Sequence, residues 1–243
     1  PAGWFWARED RPTDHLSLRG GYAETSRAPT PAELSCADEA APCSLTNFFV
    51  GDPPLEQVVG KSWEAGASGK LSGSWTGAWL LSAYRTVTVN DIQFTAASTR
   101  GRAFFRNIGT TRRRGLEASL TAERGPWAVR LGYAYTDARF GTALVVNSPD
   151  NPAADEDGRI LVEPGDRIPG IPRHRVVASA DYTTGALTLG ADFQAQSGQY
   201  FRGDEANEDA PTQGFGVLNL RGSFRLGDAA HLFAEVSNVF DRR

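Results

Sequence analysis

The chain has 243 residues and a formal charge of −4 at pH 7, with 25 basic and 29 acidic side chains. That balance leaves no basic excess to release counterions from a phosphate backbone, so it argues against a nucleic-acid partner. No run of about 18 apolar residues forms a membrane-spanning helix, although alternating strands can cross a bilayer without raising overall hydropathy.

Taken in chain order, residues 1–10 carry Trp4, Phe5 and Trp6 and begin in mid-pattern with no signal peptide before them, as expected of a fragment. A strand ends near Ser26, and a long polar stretch, 27–60, follows with the only two cysteines, Cys36 and Cys43. No histidine lies between or beside them to complete a zinc site. A disulfide is the expected pairing and implies an oxidising compartment; two unpaired thiols in a mobile loop are the alternative. Residues 61–71 and 75–90 then read as a hairpin turning at Ser72, Gly73 and Ser74, before a second polar stretch at 91–103.

The next hairpin opens on three arginines, Arg112, Arg113 and Arg114. Leu116, Ala118 and Leu120 oppose Glu117, Ser119 and Thr121, and Trp127, Val129, Leu131, Tyr133 and Tyr135 oppose Ala128, Arg130, Gly132, Ala134 and Thr136. This is the period of two that a strand demands. The turn between them, Glu123 to Pro126, is short. Counted back from Leu116, Arg112 and Arg114 fall on the apolar side, beyond its outer edge, and Arg113 on the polar side. They form either a solvated charged rim or a contact with anionic headgroup phosphates, which the guanidinium fork suits. After a polar stretch at 141–172, residues 173–183 and 186–200 join through Thr184 and Gly185. A final polar stretch, 201–214, precedes 215–226 and 231–240, joined through Gly227 and Asp228.

Long and short connections therefore alternate strictly. In an up-and-down antiparallel sheet this gathers every long loop at one end and every short turn at the other, the pattern of outer-membrane barrels. Trp75, Trp127, Tyr182 and Phe224 flank the short turns, where an aromatic girdle meets lipid headgroups. The predicted fold is all-β, an antiparallel up-and-down transmembrane β-barrel.

Five motifs carry a resemblance. Ser26-Arg27-Ala28-Pro29-Thr30-Pro31-Ala32-Glu33-Leu34 resembles the "FRAPT-x-x-EL" signature of TonB-dependent outer-membrane receptors, with Ser26 in the usual aromatic's place. Trp63-Glu64-Ala65-Gly66 looks like their "S-x-E-x-G" strand, and Asn107-Ile108-Gly109 followed by Arg114-Gly115-Leu116-Glu117 like "N-x-G…-x-G-x-E". Ile168-Pro169-Gly170-Ile171-Pro172-Arg173-His174-Arg175 resembles "LPG-x-P-x-H-x", and Asn238-Val239-Phe240-Asp241 the "N-L-F-D" of the penultimate strand. The resemblance covers nearly the whole chain. It implies a 22-stranded barrel closed by an N-terminal plug, of which residues 1–243 would be one incomplete piece holding about nine strands, roughly the thirteenth to the twenty-first. Residues 1–10 would end a twelfth, and the plug and last strand would be absent.

The function implied is active import of a scarce ligand, most often a ferric siderophore or other metal chelate, driven through the plug by the TonB energy-transducing complex. Other implied partners are the lipid bilayer and lipopolysaccharide of a Gram-negative outer membrane; no cofactor or catalytic residue is implied. Ligand contacts would come from loops, where Phe48, Phe49, Arg100, Arg102, Phe104, Phe105 and the acidic run Asp155-Glu156-Asp157 are the candidates. The segment Thr99 to Arg106 leads, because it mixes arginines with aromatics, as anionic, ring-bearing chelates would favour. Three rivals stand beside this reading: a membrane enzyme, for which His15, His174 and His231 have no serine-nucleophile motif, a passive porin-like barrel, and a soluble β protein.

Overall fold

The computed structural model describes residues 4–13, 15–38, 55–98, 102–227 and 229–242. Along the chain run β1 (Trp4–Thr13), β2 (Leu16–Arg27), the short helix α1 (Pro31–Ser35), β3 (Val58–Leu71), β4 (Thr76–Val89), β5 (Ile92–Ala96) and β6 (Ala103–Asn107). They are followed by β7 (Thr111–Arg124), β8 (Trp127–Phe140), β9 (Leu144–Asn147) and β10 (Arg159–Val162). The last four are β11 (His174–Thr184), β12 (Leu187–Gln196), β13 (Phe215–Leu226) and β14 (Ala230–Val236).

Ten of these strands pair into one antiparallel sheet in the order β1-β2-β3-β4-β7-β8-β11-β12-β13-β14. The order follows the chain because each short turn can return a strand only to its neighbour. At two of them Gly125 and Gly185 take φ of +54° and +55°, a left-handed conformation that costs glycine no Cβ clash. The sheet does not close: β1 and β14 each have a single neighbour among the described residues. It is the open wall of an incomplete up-and-down barrel. Nine strands are those expected from the sequence, and β1 supplies a tenth from the tryptophan-bearing start.

Register turns the alternation into two continuous faces. Leu81 pairs with Ala67 and Ala118, Leu120 with Leu131, Ala178 with Leu131 and Phe193, and Ala191 with Leu220. This face is apolar yet open, with Leu81, Leu116, Leu131 and Leu189 each about half exposed, as a lipid-facing surface requires. The opposite face carries Glu64, Glu117, Ser119, Arg130, Asp181, Asp192 and Arg221. It is the polar, lumenal side. Near the short turns Trp127 lies 4.9 Å from Tyr182, ring centre to ring centre, across the β8–β11 pair.

Three features differ from the sequence expectation. The stretches 91–103 and 141–172 are not structureless: β9 and β10 form a hairpin within the second, and β5, within the first, pairs with β6, which runs past it to Asn107. Strand β12 stops at Gln196, not at residue 200, because the Ser197 N–H turns to the His174 carbonyl (2.9 Å) and Thr212 bonds back to Gln199 (2.8 Å). Strand β14 stops at Val236, since Asn238 and Asp241 adopt left-handed φ of 52° and 47° and fold the "N-V-F-D" motif into a turn. Asn238 N–H then donates to Asn219 Oδ1 at 2.8 Å.

The buried core lies beneath the loops. Ile108, Ala138, Phe140, Val146, Ile160, Val162 and Ile168 pack together. Two of them, Ala138 and Phe140, belong to the tip of β8. The barrel wall itself needs no such core, because lipid solvates one of its faces.

Candidate functional site in the loop cap and lumenal wall

The sequence motifs sit where strands become loops, and each performs a local task. Thr30 caps α1: the Glu33 N–H donates to Thr30 Oγ1 at 3.3 Å, and the Thr30 N–H donates to Glu33 Oε2 at 2.7 Å. Pro31 follows within the first turn, where its missing N–H costs nothing. Arg27, the last residue of β2, grips the same carboxylate with both guanidinium arms, at 2.7 and 2.8 Å. This clamp explains why the motif needs arginine, threonine and glutamate at that spacing. In the "N-x-G" motif, Asn107 Nδ2 donates to the Asn90 carbonyl at 2.7 Å, and Gly109 turns back at φ +78° so that its carbonyl accepts from Asp91 N–H at 2.8 Å.

The clamp carries a pH dependence. The Arg27 hydrogen bonds pull the Glu33 carboxyl down to about 2 against the opposing effect of burial, and the Thr30 N–H adds to the pull. A depressed carboxylate contributes stability that is complete above its unfolded value, near 4.5, and is lost as pH falls toward 2. With one pKa unit worth about 1.4 kcal/mol, and a discount because Arg27 is 44% exposed, the clamp contributes about 2 kcal/mol. Amide-exchange protection of Glu33 and Leu34 should hold from pH 7 to pH 5 and fall on acidification below that. Glu33→Gln should remove the fall. Protection that persists to pH 2 in the unaltered receptor would overturn the linkage.

Three long connections meet above the sheet as one cap. Asn147 Nδ2 donates to the Ala96 carbonyl at 3.1 Å, Arg106 donates to the Val145 carbonyl, and Asn151 Nδ2 donates to the Gly203 carbonyl at 3.0 Å. Asp204, 4% exposed, anchors the 201–214 connection by accepting from Glu208 N–H at 2.8 Å and Asp209 N–H at 3.2 Å. A cleft of about 380 Å³ opens in this cap and is lined by Phe94, Arg102, Asn147, Asp150, Arg202 and Glu205. Arg202 arrives from a connection about a hundred residues downstream of Arg102, and no local pattern could have singled it out.

Of the sequence candidates, Phe48, Phe49, Arg100 and Cys43 lie outside the described residues. Cys36 is the residue that ends α1. Arg102 lines the cleft. Phe104 points inward, 4% exposed, because the alternation of β6 turns it under the hairpin. Phe105 takes the other face and lies 4.8 Å from Phe94. The acidic run is tied down by Arg159, which pairs with both Asp155 (3.4 Å) and Asp157. His174 Nδ1 shares a hydrogen bond with Tyr133 Oη at 2.9 Å.

Below the cap the lumenal face holds a chain of ion pairs. Arg130 reaches Asp181 at 3.6 Å, Arg221 reaches the same carboxylate at 2.5 Å, and Arg221 also pairs with Asp192. A shallow cleft of about 460 Å³ beside them is lined by Ser119, Gln194 and Asn219 among others. Such a wall offers hydrogen bonds along its length to a polar solute or a packed polar domain. On the outward face, Arg114 and Arg139 both bond Asp137, each with its Nε, at 3.1 and 3.0 Å. Arg113, on the lumenal face, pairs with Asp91 at 3.5 Å.

Residues 2–239 match the family model described as TonB dependent receptor-like, beta-barrel. The ferric-pyoverdine M114 receptor PbuA of Pseudomonas sp. (strain M114) is 26% identical over 198 residues, covering 78% of this chain and 22% of that protein. Among solved structures, the siderophore receptor PiuA from Acinetobacter baumannii aligns with a TM-score of 0.70 at 17% identity, over 98% of this chain and 32% of its own. The copper transporter OprC aligns with a TM-score of 0.69 at 20% identity, over 99% of this chain and 33% of its own. At such identities the structural likeness speaks for the fold alone. The chain thus spans about a fifth to a third of the proteins it resembles. With an open antiparallel sheet, a one-sided loop cap and a family match over nearly its whole length, the chain belongs to the TonB-dependent receptor family, in the β-barrel domain.

Proposed function

We propose that this chain forms part of the wall of a Gram-negative outer-membrane receptor that captures a ferric siderophore or related metal chelate at its loop cap. Import would follow across the lumen, driven by the TonB complex. The observation that carries the reading is the assembled cap, in which three connections bring Arg102, Arg202 and Phe94 onto one cleft. Cations beside an exposed ring suit a chelate that is anionic and aromatic. The names of the relatives, a ferric-pyoverdine receptor and a siderophore receptor, support the same ligand class.

The test is a binding titration on the intact receptor with ferric catecholate and ferric hydroxamate chelates. Arg102→Ala and Arg202→Ala should each weaken the preferred chelate, since losing one charge-assisted contact costs about 1.5–3 kcal/mol, or roughly 10- to 100-fold. Arg112→Ala and Arg114→Ala, on the outward face, should leave that affinity unchanged. Unaltered affinity in both cleft variants would remove the cleft from the site. Unsaturable uptake that ignores the proton-motive force would favour a passive barrel.

A further inference from the structure

The clamp on α1 extends, through the backbone, to the hairpin that lines the loop cleft. With 5 residues, α1 is far short of the roughly 12–15 at which an isolated helix becomes marginal in water. It persists because Thr30 caps it and because Arg27 holds Glu33 with both guanidinium arms, which fastens the helix to the last residue of β2. Glu33 is 8% exposed. The Cys36 N–H closes the helix on the Glu33 carbonyl at 3.3 Å, so residue 36 takes its place from the clamp.

Cys36 in turn supports β6. Strands β5 and β6 form a two-stranded ribbon apart from the main sheet, and such a ribbon alone is marginally stable at best in water. Its closing bonds run from Ala97 N–H to the Arg102 carbonyl and from Ile108 N–H to the Asp91 carbonyl. By the alternation of an antiparallel pair, the Phe105 N–H points away from β5, and it donates to the Cys36 carbonyl at 2.7 Å. The opposite edge is held where Asn147 reaches the Ala96 carbonyl. The Phe105 ring lies 4.8 Å from that of Phe94, and Phe94 and Arg102 line the cleft. A continuous path thus joins a buried carboxylate, which is not part of the cleft lining, to the cleft wall.

We propose that Arg27 and Glu33 are positioning residues for the loop cleft: their clamp on α1 sets, through the Cys36 carbonyl, where the β5–β6 ribbon holds Phe94 and Arg102. Neither residue lines the cleft. Arg202 enters from the 201–214 connection, which has its own anchor where Ser148 and Asn151 bond the Gly203 carbonyl. The clamp therefore acts on one side of the cleft and not on the other. The inference rests on the capture reading above.

The experiment uses the intact receptor in detergent at neutral pH, with amide exchange and titration by ferric tris-catecholate and tris-hydroxamate chelates run on the same preparations. Glu33→Gln should speed exchange at Phe105 about tenfold, the scale of one charge-assisted hydrogen bond, and weaken the preferred chelate by a similar factor. Arg27→Lys, which keeps the charge but not the fork, should fall between. The temperature at which the folded barrel loses its faster electrophoretic migration should not change, since α1 lies outside the ten-stranded sheet. Glu33→Gln with Arg102→Ala should weaken binding by less than the product of the single losses, whereas Glu33→Gln with Arg202→Ala should give the full product. Unchanged exchange at Phe105, or equal coupling to both arginines, would overturn the proposal. A migration temperature that falls in step with affinity would reduce the clamp to a general brace and overturn it too. Where Glu33→Gln does not fold, Arg27→Lys and the double variants built on it carry the same comparison. An unaltered receptor that binds neither chelate would sink the capture reading, and with it the role assigned to the clamp, while the exchange result would still report whether α1 fixes the ribbon.

Discussion

Expressed alone, residues 1–243 should accumulate as aggregate or be degraded, and no heat-resistant barrel should appear. The ten-stranded sheet has two free edges, β1 and β14, among the described residues. Each edge exposes a row of backbone N–H and C=O groups, and in hydrocarbon every unsatisfied group costs several kcal/mol. With both an N–H and a C=O left free at about every second residue of the edge, the deficit exceeds the net stability of an ordinary domain, about 5–15 kcal/mol. The edge side chains are equally unpartnered: Phe5 is 80% exposed and Phe233 86%. Semi-native electrophoresis checks this, since a closed barrel migrates faster before boiling than after. A monodisperse, heat-modifiable monomer that binds a ferric chelate would show that these strands close on themselves.

The second large effect is expected at Gly115. It occupies the centre of the "R-G-L-E" motif on the lumenal face of β7, and a Cβ there would stand 2.4 Å from the Tyr135 carbonyl oxygen and 2.6 Å from the Tyr84 ring. The Tyr84 hydroxyl is tied to Thr136 Oγ1 at 3.3 Å, so the ring lies across β7 and the missing side chain is the space it fills. The carbonyl cannot retreat without breaking the β7–β8 ladder. Gly115→Val in the intact receptor should lower stability by about 3 kcal/mol, at the upper end of overpacking costs, seen as a lower heat-modification midpoint. Removing the ring as well, by Tyr84→Ala, should recover only part of the loss because the carbonyl remains. An unchanged midpoint for Gly115→Val would refute the close packing of these two strands.

Much of the wall was legible because its physics is local. Where lipid solvates one face and water the other, alternation has to persist for the whole crossing, and 61–71 with 75–90 reads directly as Val58–Leu71 with Thr76–Val89. The loop cap was not legible in the same way. Strands of four or five residues such as Leu144–Asn147 are too short to establish a period, and Val146 is buried in a cluster with residues such as Ile160 and Ile168, met only through folding. Register adds what periodicity omits. Counting from Leu116 gives the face on which Arg114 lies, but only the pairing with β8 sets it opposite Asp137. Arg202 belongs to the same class: its place beside Arg102 exists only once three connections have assembled.

The apolar nucleus under the cap has a consequence for how such receptors change their ligands. Because Val146, Ile160, Val162 and Ile168 pack together within the cap's own fold, most of the ordering of this cap belongs to folding, and on the reading proposed above binding would be left with a smaller entropic penalty. Two residues of the same cluster, however, Ala138 and Phe140, are strand residues. A chimera that exchanges only residues 141–172 would seat a foreign hairpin on the wrong plinth and lose the pre-ordered cleft. The transferable module is the loop together with the last turn of wall beneath it, and recombination between relatives should find its productive crossovers within the membrane band, below residue 138.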